Sequence, residues 1–227
     1  MSPVVKTLIV VGGVILGAVV LFVGGVLLWG WPTHGDPIGQ YENPQQALFV
    51  IDIQEDYTGS TAQPPFPIEG SEQLIATVNT VIEEASKRDI IVVYIRQEYS
   101  GLWGRLMSGM FSGGTGMVGS PGAEIDERVS ILSSHVFSKQ PGDAFSNPDL
   151  DAFLIEHRVN ELYLVGLAGE YCVHHTAWGA LNRGYNVNII TDAVALRDEG
   201  KRAELLQQYR EDGIALLTSE QFMEQAP

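Results

Sequence analysis

Residues 7–34 contain no Asp, Glu, Lys or Arg. The core of this stretch, "TLIVVGGVILGAVVLFVGGVLLWGW" at residues 7–31, runs for 25 residues. About 20 apolar residues suffice for a helix to cross the hydrocarbon layer of a bilayer. The segment therefore stands apart from the globular part of the chain and reads as one transmembrane helix, contacting lipid through residues 7–31. Trp29 and Trp31 fall at its end, where interfacial aromatics belong. A cleavable signal peptide would have a shorter apolar region, about 7–15 residues, followed by a small-residue cleavage site. Here "WPTHGDP" follows, and the expectation is an uncleaved anchor. Lys6 precedes the span and the next Lys or Arg is Lys87. Positive-inside bias then puts the N-terminus in the cytoplasm and the remaining chain outside, as a single-pass membrane protein. Gly13 and Gly17 form a G-x-x-x-G pair that could bring two spans together.

The rest of the chain has the apolar content of a globule, since 45% of the sequence is hydrophobic. A net charge of -15 argues against nucleic acid or anionic lipid as a partner of the main domain. The single cysteine excludes an internal disulfide framework and any multi-thiolate metal site. Residues 32–46, with three prolines and two glycines, read as a linker. This divides the chain into an anchor at 1–31, a linker at 32–46 and a domain at 47–227.

Within the domain, "ALFVIDI" (47–53) and "IIVVYI" (90–95) are nearly continuous apolar runs, as expected of strands buried on both faces. Between them, residues 72–88 place Leu74, Ile75, Val78, Val81 and Ile82 at helical spacing. Further on, a helix is predicted over 148–158, with Pro148 near its first turn. A strand at "ELYLVGL" follows, then a helix at "YCVHHTAWGALNRG" closed by Gly184. Residues 186–191, 198–212 and 214–218 read as strand, helix and strand. Alternation of this kind predicts an α/β fold: a three-layer, doubly wound, mostly parallel sheet with helices on both faces. Residues 100–122 are an exception. This long, glycine-rich insert carries Trp103, Leu106, Met107, Met110 and Phe111, and its length suggests a lid or binding segment.

In an open α/β sheet, ligands sit beyond the carboxyl ends of the strands. Cys172 lies there, on a strand-to-helix turn. Two readings compete: a small buried core residue, or a nucleophile whose pKa is lowered by the start of a helix. Asp52 lies inside "FVIDIQEDY" at the end of the first strand. Burial there is costly without a partner and raises a carboxyl pKa, which suits a base. Lys139, in "HVFSKQPGDAF", ends another short strand-like stretch and could supply a cation, although a surface lysine is the simpler reading. His174 and His175 follow Cys172, but a helix-mate points alongside the thiol, not across a cleft; these histidines are expected against the lid or in solvent. His34, His135 and His157 are scattered, so no metal set is expected.

The blocks "ALFVIDIQEDY", "FSKQPGDAFSNPDLDAFL" and "LYLVGLAGEYCVHHTAWGALNRGYNVNIITDA" resemble the signature segments of the isochorismatase-like cysteine hydrolases, a superfamily that includes nicotinamidases, N-carbamoylsarcosine amidohydrolases and isochorismatases. The resemblance spans the domain but not residues 1–31. It implies a catalytic Asp52, Lys139 and Cys172, and a cis peptide at Leu167–Ala168. It also implies an oxyanion hole from the backbone N–H groups of Ala168 and Cys172. Tyr57, Trp103 and Tyr171 are expected around the substrate. The implied reaction is cleavage of a C–N bond in a small amide or carbamoyl-type compound through a thioester on Cys172, without a cofactor, in a homo-oligomer. Two departures stand out. The metal motif of nicotinamidases has no counterpart in "YIRQEYSG", so no metal is expected, and Gly169 stands where relatives often have Thr. The alternatives are a vinyl-ether hydrolase of the isochorismatase type, which does not need the thiol, and a non-catalytic anchored interaction module.

Overall fold

The central strand pair buries apolar side chains on both faces, Leu48, Val50, Tyr163 and Val165 on one and Ala47, Phe49, Ile51, Val159, Leu162 and Leu164 on the other; such strands require layers above and below, and the chain supplies them. The computed structural model describes residues 2–62 and 70–225. It divides into two units, Met1–Trp31 and Pro32–Pro227. The first unit is helix α1 (Pro3–Trp29), capped at its start by the Ser2 side chain, which accepts from the Val5 amide. No residue of α1 is buried. By length and composition α1 could cross a membrane or serve as a signal sequence.

The second unit is built on six parallel strands in the order β3-β2-β1-β4-β5-β6. They are β1 (Gln45–Ile51), β2 (Ile91–Gln97), β3 (Val136–Lys139), β4 (Val159–Gly166), β5 (Asn186–Val194) and β6 (Ala215–Leu217). Strand alternation splits β1 between two cores. Leu48 and Val50 face a layer formed by α2 (Ser71–Lys87) and α7 (Ser219–Glu224). Ala47, Phe49 and Ile51 face α4 (Pro148–Glu156), α5 (His174–Leu181) and α6 (Arg202–Glu211). This is the predicted three-layer α/β arrangement. Each fully buried Leu, Ile, Val or Phe side chain contributes roughly 1.5–3 kcal/mol relative to exposure. The continuous apolar runs of β1 and β4 thus leave little freedom for another layering.

Chain order reverses between β1 and β4. The chain runs outward through β2 and β3, then returns to lay β4, β5 and β6 on the other side. Such a switch opens a crevice beyond the carboxyl ends of the strands. Three local outcomes differ from the sequence reading. The glycine-rich insert contains a regular helix, α3 (Gly101–Phe111); its glycines conceal a stripe in which Gly104, Met107 and Ser108 turn inward. β1 begins at Gln45, inside the stretch read as linker, and Thr33 and Ile38 are already hydrogen-bonded to the domain. The terminal helix α7, stapled by a Thr218–Gln221 capping box, was not anticipated.

Candidate active site

The carboxyl ends of β1, β3 and β4 bring three predicted side chains together. Asp52 follows β1 immediately, with a left-handed φ of 55°. Its amide donates to the Ile95 carbonyl at 2.9 Å, which pins the turn. Left-handed backbone is uncommon for a residue with a side chain. Lys139 is the last residue of β3. Its ammonium donates to Asp52 Oδ2 at 2.8 Å and lies 3.3 Å from Cys172 Sγ. Neither the lysine nor the aspartate side chain reaches solvent appreciably, at 0% and 3% exposure. An exposed surface lysine, the simpler reading of the sequence, is therefore excluded. Cys172 is also buried.

Cys172 lies in a π-helical turn (Gly169–Val173) leading into α5. Two glycines allow the approach from β4. Gly166 has φ 117°, and any Cβ there would collide with the Ile51 backbone. Gly169 explains itself through its neighbours: a Cβ would come within 2.9 Å of Val194 Cγ1 and 3.0 Å of Leu196 Cδ1. The room a Thr would need is occupied by β5 and the segment after it. The Gly169 carbonyl in turn accepts from the Tyr209 hydroxyl at 2.6 Å. The peptide between Leu167 and Ala168 is cis, where the resemblance placed it.

Burial dominates the electrostatics. It raises the Asp52 pKa, opposed by the Lys139 charge and its hydrogen bond. For Lys139 the opposite balance holds: burial pulls the pKa down, and the charges of Asp52 and Cys172 more than reverse it, so the ammonium stays protonated. The Cys172 thiol is pushed up to about 12, by burial first and then by the Asp52 charge, with Lys139 opposing. This corrects the expectation of a thiol acidified by a helix start. The local dipole is outweighed by desolvation and by a carboxylate brought in from another strand. Asp52 Oδ1 has no hydrogen-bond partner among the described residues, so the carboxylate keeps one lone-pair edge open for a proton.

Two glutamines, overlooked in the sequence, complete the setting. Gln97 Oε1 accepts from Lys139 Nζ at 2.5 Å. Its own amide nitrogen donates to the Lys139 carbonyl at 3.3 Å and to the Gln140 carbonyl. Gln54, completely buried, grips the Gln97 backbone from both sides: Oε1 accepts from its N–H at 2.7 Å and Nε2 donates to its carbonyl at 3.1 Å. Gln97 continues the inward alternation of Val93 and Ile95, and that period was the readable signal. Asp56 reads as a loop staple, accepting from the Gly116 amide at 2.8 Å.

Asp52, Tyr57, Gln97, Leu167, Ala168, Cys172 and Arg197 line a small cavity of about 20 Å³, roughly the space of one water molecule. Of the expected substrate contacts, Tyr57 lines it, whereas Trp103 and Tyr171 do not. Trp103 belongs to α3, and Tyr171 packs its ring against His175 at 4.5 Å. The histidines also differ from expectation. His174 is buried against Trp178 and Tyr209, with Nε2 2.6 Å from Asp212 Oδ2. His175 packs its ring against Tyr171 and Trp178.

The positions where nicotinamidases carry their metal motif do not fit a metal here. The Arg96 guanidinium contacts Glu98 at 3.2 Å and Glu124 at 2.6 Å, and Gln97 is committed to Lys139. Among the described residues, no three His, Cys, Asp or Glu side chains converge as ligands.

A three-layer parallel α/β domain, with a buried acid, ammonium and thiol at its topological switch point, defines the class. The chain matches the Isochorismatase domain over residues 46–221 and belongs to that family, a family of hydrolases that includes amidases. It is 29% identical over 160 residues to a protein of Arabidopsis thaliana named as a probable inactive nicotinamidase, covering 66% of this chain and 80% of that one. It is 27% identical over 168 residues to N-carbamoylsarcosine amidase from an Arthrobacter species, covering 68% and 61%. Among solved structures, N-carbamoylsarcosine amidase from Thermoplasma acidophilum superposes with a TM-score of 0.65 at 25% identity, covering 77% of this chain and 96% of that one.

Proposed function

We propose that the protein is a membrane-anchored cysteine hydrolase that cleaves the C–N bond of a small amide or carbamoyl-type compound. The observation that carries this reading is the buried contact of Lys139 with both Asp52 and Cys172. A purely structural site has little reason to hold an acid, an ammonium and a thiol out of water together, because burying charge is costly unless the groups are used or paired. The amidases among the relatives support the same reaction class.

In this mechanism Asp52 removes the thiol proton as sulfur attacks the carbonyl carbon. The elevated thiol pKa favours this concerted path over a standing thiolate. The oxyanion is received by the backbone N–H groups of Ala168 and Cys172, both of which line the cavity. Protonated Asp52 then gives its proton to the leaving nitrogen, and the C–N bond breaks to leave a thioester. A water molecule next loses a proton to Asp52 and attacks the thioester; the C–S bond breaks and the proton returns to sulfur. Lys139 stays protonated throughout and offsets the charge that moves between Asp52 and Cys172.

The anchor reading of α1 is part of the same proposal, with the hydrolase domain outside the cytoplasm and the chain forming a homo-oligomer. A non-catalytic module is the second reading, favoured by the small cavity and by the relative named as inactive. Ammonia release by the full chain from small primary amides and N-carbamoyl compounds decides between them: release abolished by Cys172→Ala supports the hydrolase, and no release from any compound supports the module.

A further inference from the structure

α3 exposes an apolar stripe. Leu102 is 89% exposed and Met110 50%, with Leu106 between them at helical spacing, while Met107 is fully buried on the opposite side. Residues at i, i+4 and i+8 share one helix face. Leu102, Leu106 and Met110 therefore form an outward row, exposed among the described residues. The local charge is also distinctive. In a chain of net charge -15, residues 99–123 contain a single charged side chain, Arg105, which lies on the exposed side of α3. The domain's acidity argues against anionic lipid in general, but this stretch has no carboxylate to repel one.

Two hydrogen-bonded attachments locate α3 relative to the tether. Asp143 Oδ2 accepts from the Thr33 amide and hydroxyl, both at 2.7 Å, and Arg183 and Asn182 hold the Thr33 carbonyl and hydroxyl from the other side. Three residues earlier on the same loop, Gln140 Oε1 accepts from the Ser100 amide at the start of α3, at 3.1 Å. The point where the tether meets the domain and the beginning of α3 are thus fastened to one short loop. Pro32 alone separates Trp31 from Thr33. At about 3.6 Å per extended residue, this leaves roughly 7 Å of chain. The loop at 140–143, which holds the start of α3, is thus separated from the end of α1 by only a short length of chain.

We propose that α3 is an interfacial membrane helix, with Leu102, Leu106 and Met110 entering the surface of the bilayer that α1 crosses and Arg105 reaching its phosphates. The inference rests on the reading of α1 as a span. An amphipathic helix with an apolar row and a flanking cation lies in the interface plane at the boundary of headgroups and acyl chains, and Arg keeps its guanidinium at headgroup level while its stem lies along apolar surface. The turn after α3 is joined to the cavity wall: Tyr99, on the strand side of α3, bonds Ser112 at 2.9 Å, and Gly116 lies against Tyr57. Docking would therefore place the mouth of the site near the interface, where amphiphilic amides concentrate.

The test uses the full chain in vesicles of phosphatidylcholine with phosphatidylglycerol, in a Cys172→Ser background. One environment-sensitive fluorophore is attached in turn to Leu16→Cys in α1, Leu102→Cys in α3 and Gln207→Cys on exposed α6. Quenching is read with lipids carrying nitroxides at shallow and deep positions, and with aqueous iodide. The proposal expects deep-nitroxide quenching at Leu16→Cys, several-fold more shallow-nitroxide quenching at Leu102→Cys than at Gln207→Cys, and loss of iodide access at Leu16→Cys and Leu102→Cys but not at Gln207→Cys. Deep quenching at Leu16→Cys with free iodide access at Leu102→Cys overturns the docking and leaves the anchor intact. A Leu102→Cys label shielded from both iodide and lipid nitroxides overturns it in favour of a second copy of this chain. Absence of deep quenching at Leu16→Cys overturns the span and the docking with it.

Discussion

The ammonium of Lys139 and the carboxylate of Asp52 meet at 2.8 Å inside the domain, from strands that are not neighbours in the sheet. Removing one charge strands the other. Lys139→Met is expected to destabilise the fold by about 3–5 kcal/mol, measured by urea unfolding. The double variant Lys139→Met/Asp52→Leu should be less destabilised than either single variant, because no unpaired charge remains. Both lose activity.

The single thiol permits a one-site titration. With its pKa pushed up to about 12, alkylation of Cys172 by iodoacetamide should keep rising above pH 9 without reaching a plateau, where an ordinary thiol, with a pKa near 8.5, has levelled. Asp52→Asn removes the carboxylate that helps to raise the pKa, so its profile should move to lower pH. A plateau near pH 9 in the unaltered chain would contradict the electrostatic account of the site.

Gly169 packs under Val194, Leu196 and Leu205. Introducing a Thr at this position is therefore not benign. Gly169→Thr should cost about 1–3 kcal/mol by overpacking. Gly169→Thr/Leu196→Ala should recover part of the loss. Thermal unfolding of both variants checks this.

The His175 pKa is lowered to about 4, by burial first and then by the charges of His174 and Lys139. The unfolded chain then binds the extra proton between about pH 6.5 and pH 4, so this residue's contribution to stability is present above that window and is lost as pH falls through it. The full shift corresponds to at most about 3 kcal/mol, and less after solvent screening of a partly exposed ring. His175→Gln should unfold at a less acid-sensitive temperature than the unaltered protein between pH 7 and pH 4.5.

Much of this was legible from the chain. Asp52 and Cys172 announced themselves because a carboxylate and a lone thiol at the ends of apolar strands have few structural excuses, and parallel topology gathers strand ends at one edge. Lys139 was ambiguous until the edge position of β3 was known, since a lysine at a strand end is ordinary at a surface. Gln97 and Gln54 escaped notice because amides in "YIRQEYSG" and "FVIDIQEDY" look like loop polarity; only the two-residue period of Val93, Ile95 and Gln97 marked an inward direction. The thiol pKa was misjudged for a different reason. A helix start is a local feature, whereas the Asp52 charge and the desolvation are products of tertiary structure. α3 was hidden by glycines that weaken helix propensity but leave its inward stripe intact.

The central claim is that Cys172 carries the acyl group during hydrolysis. The most direct measurement mixes the full chain with the small amide or N-carbamoyl compound that releases most ammonia, quenches in acid within a turnover, and weighs the intact protein. The account predicts an added acyl or carbamoyl mass on Cys172, diversion of product by hydroxylamine to a hydroxamate (from an amide) or a hydroxyurea (from an N-carbamoyl compound), and neither adduct nor ammonia with Cys172→Ala. Undiminished ammonia release by Cys172→Ala, or turnover with no adduct and no hydroxylamine-trapped product, would contradict it.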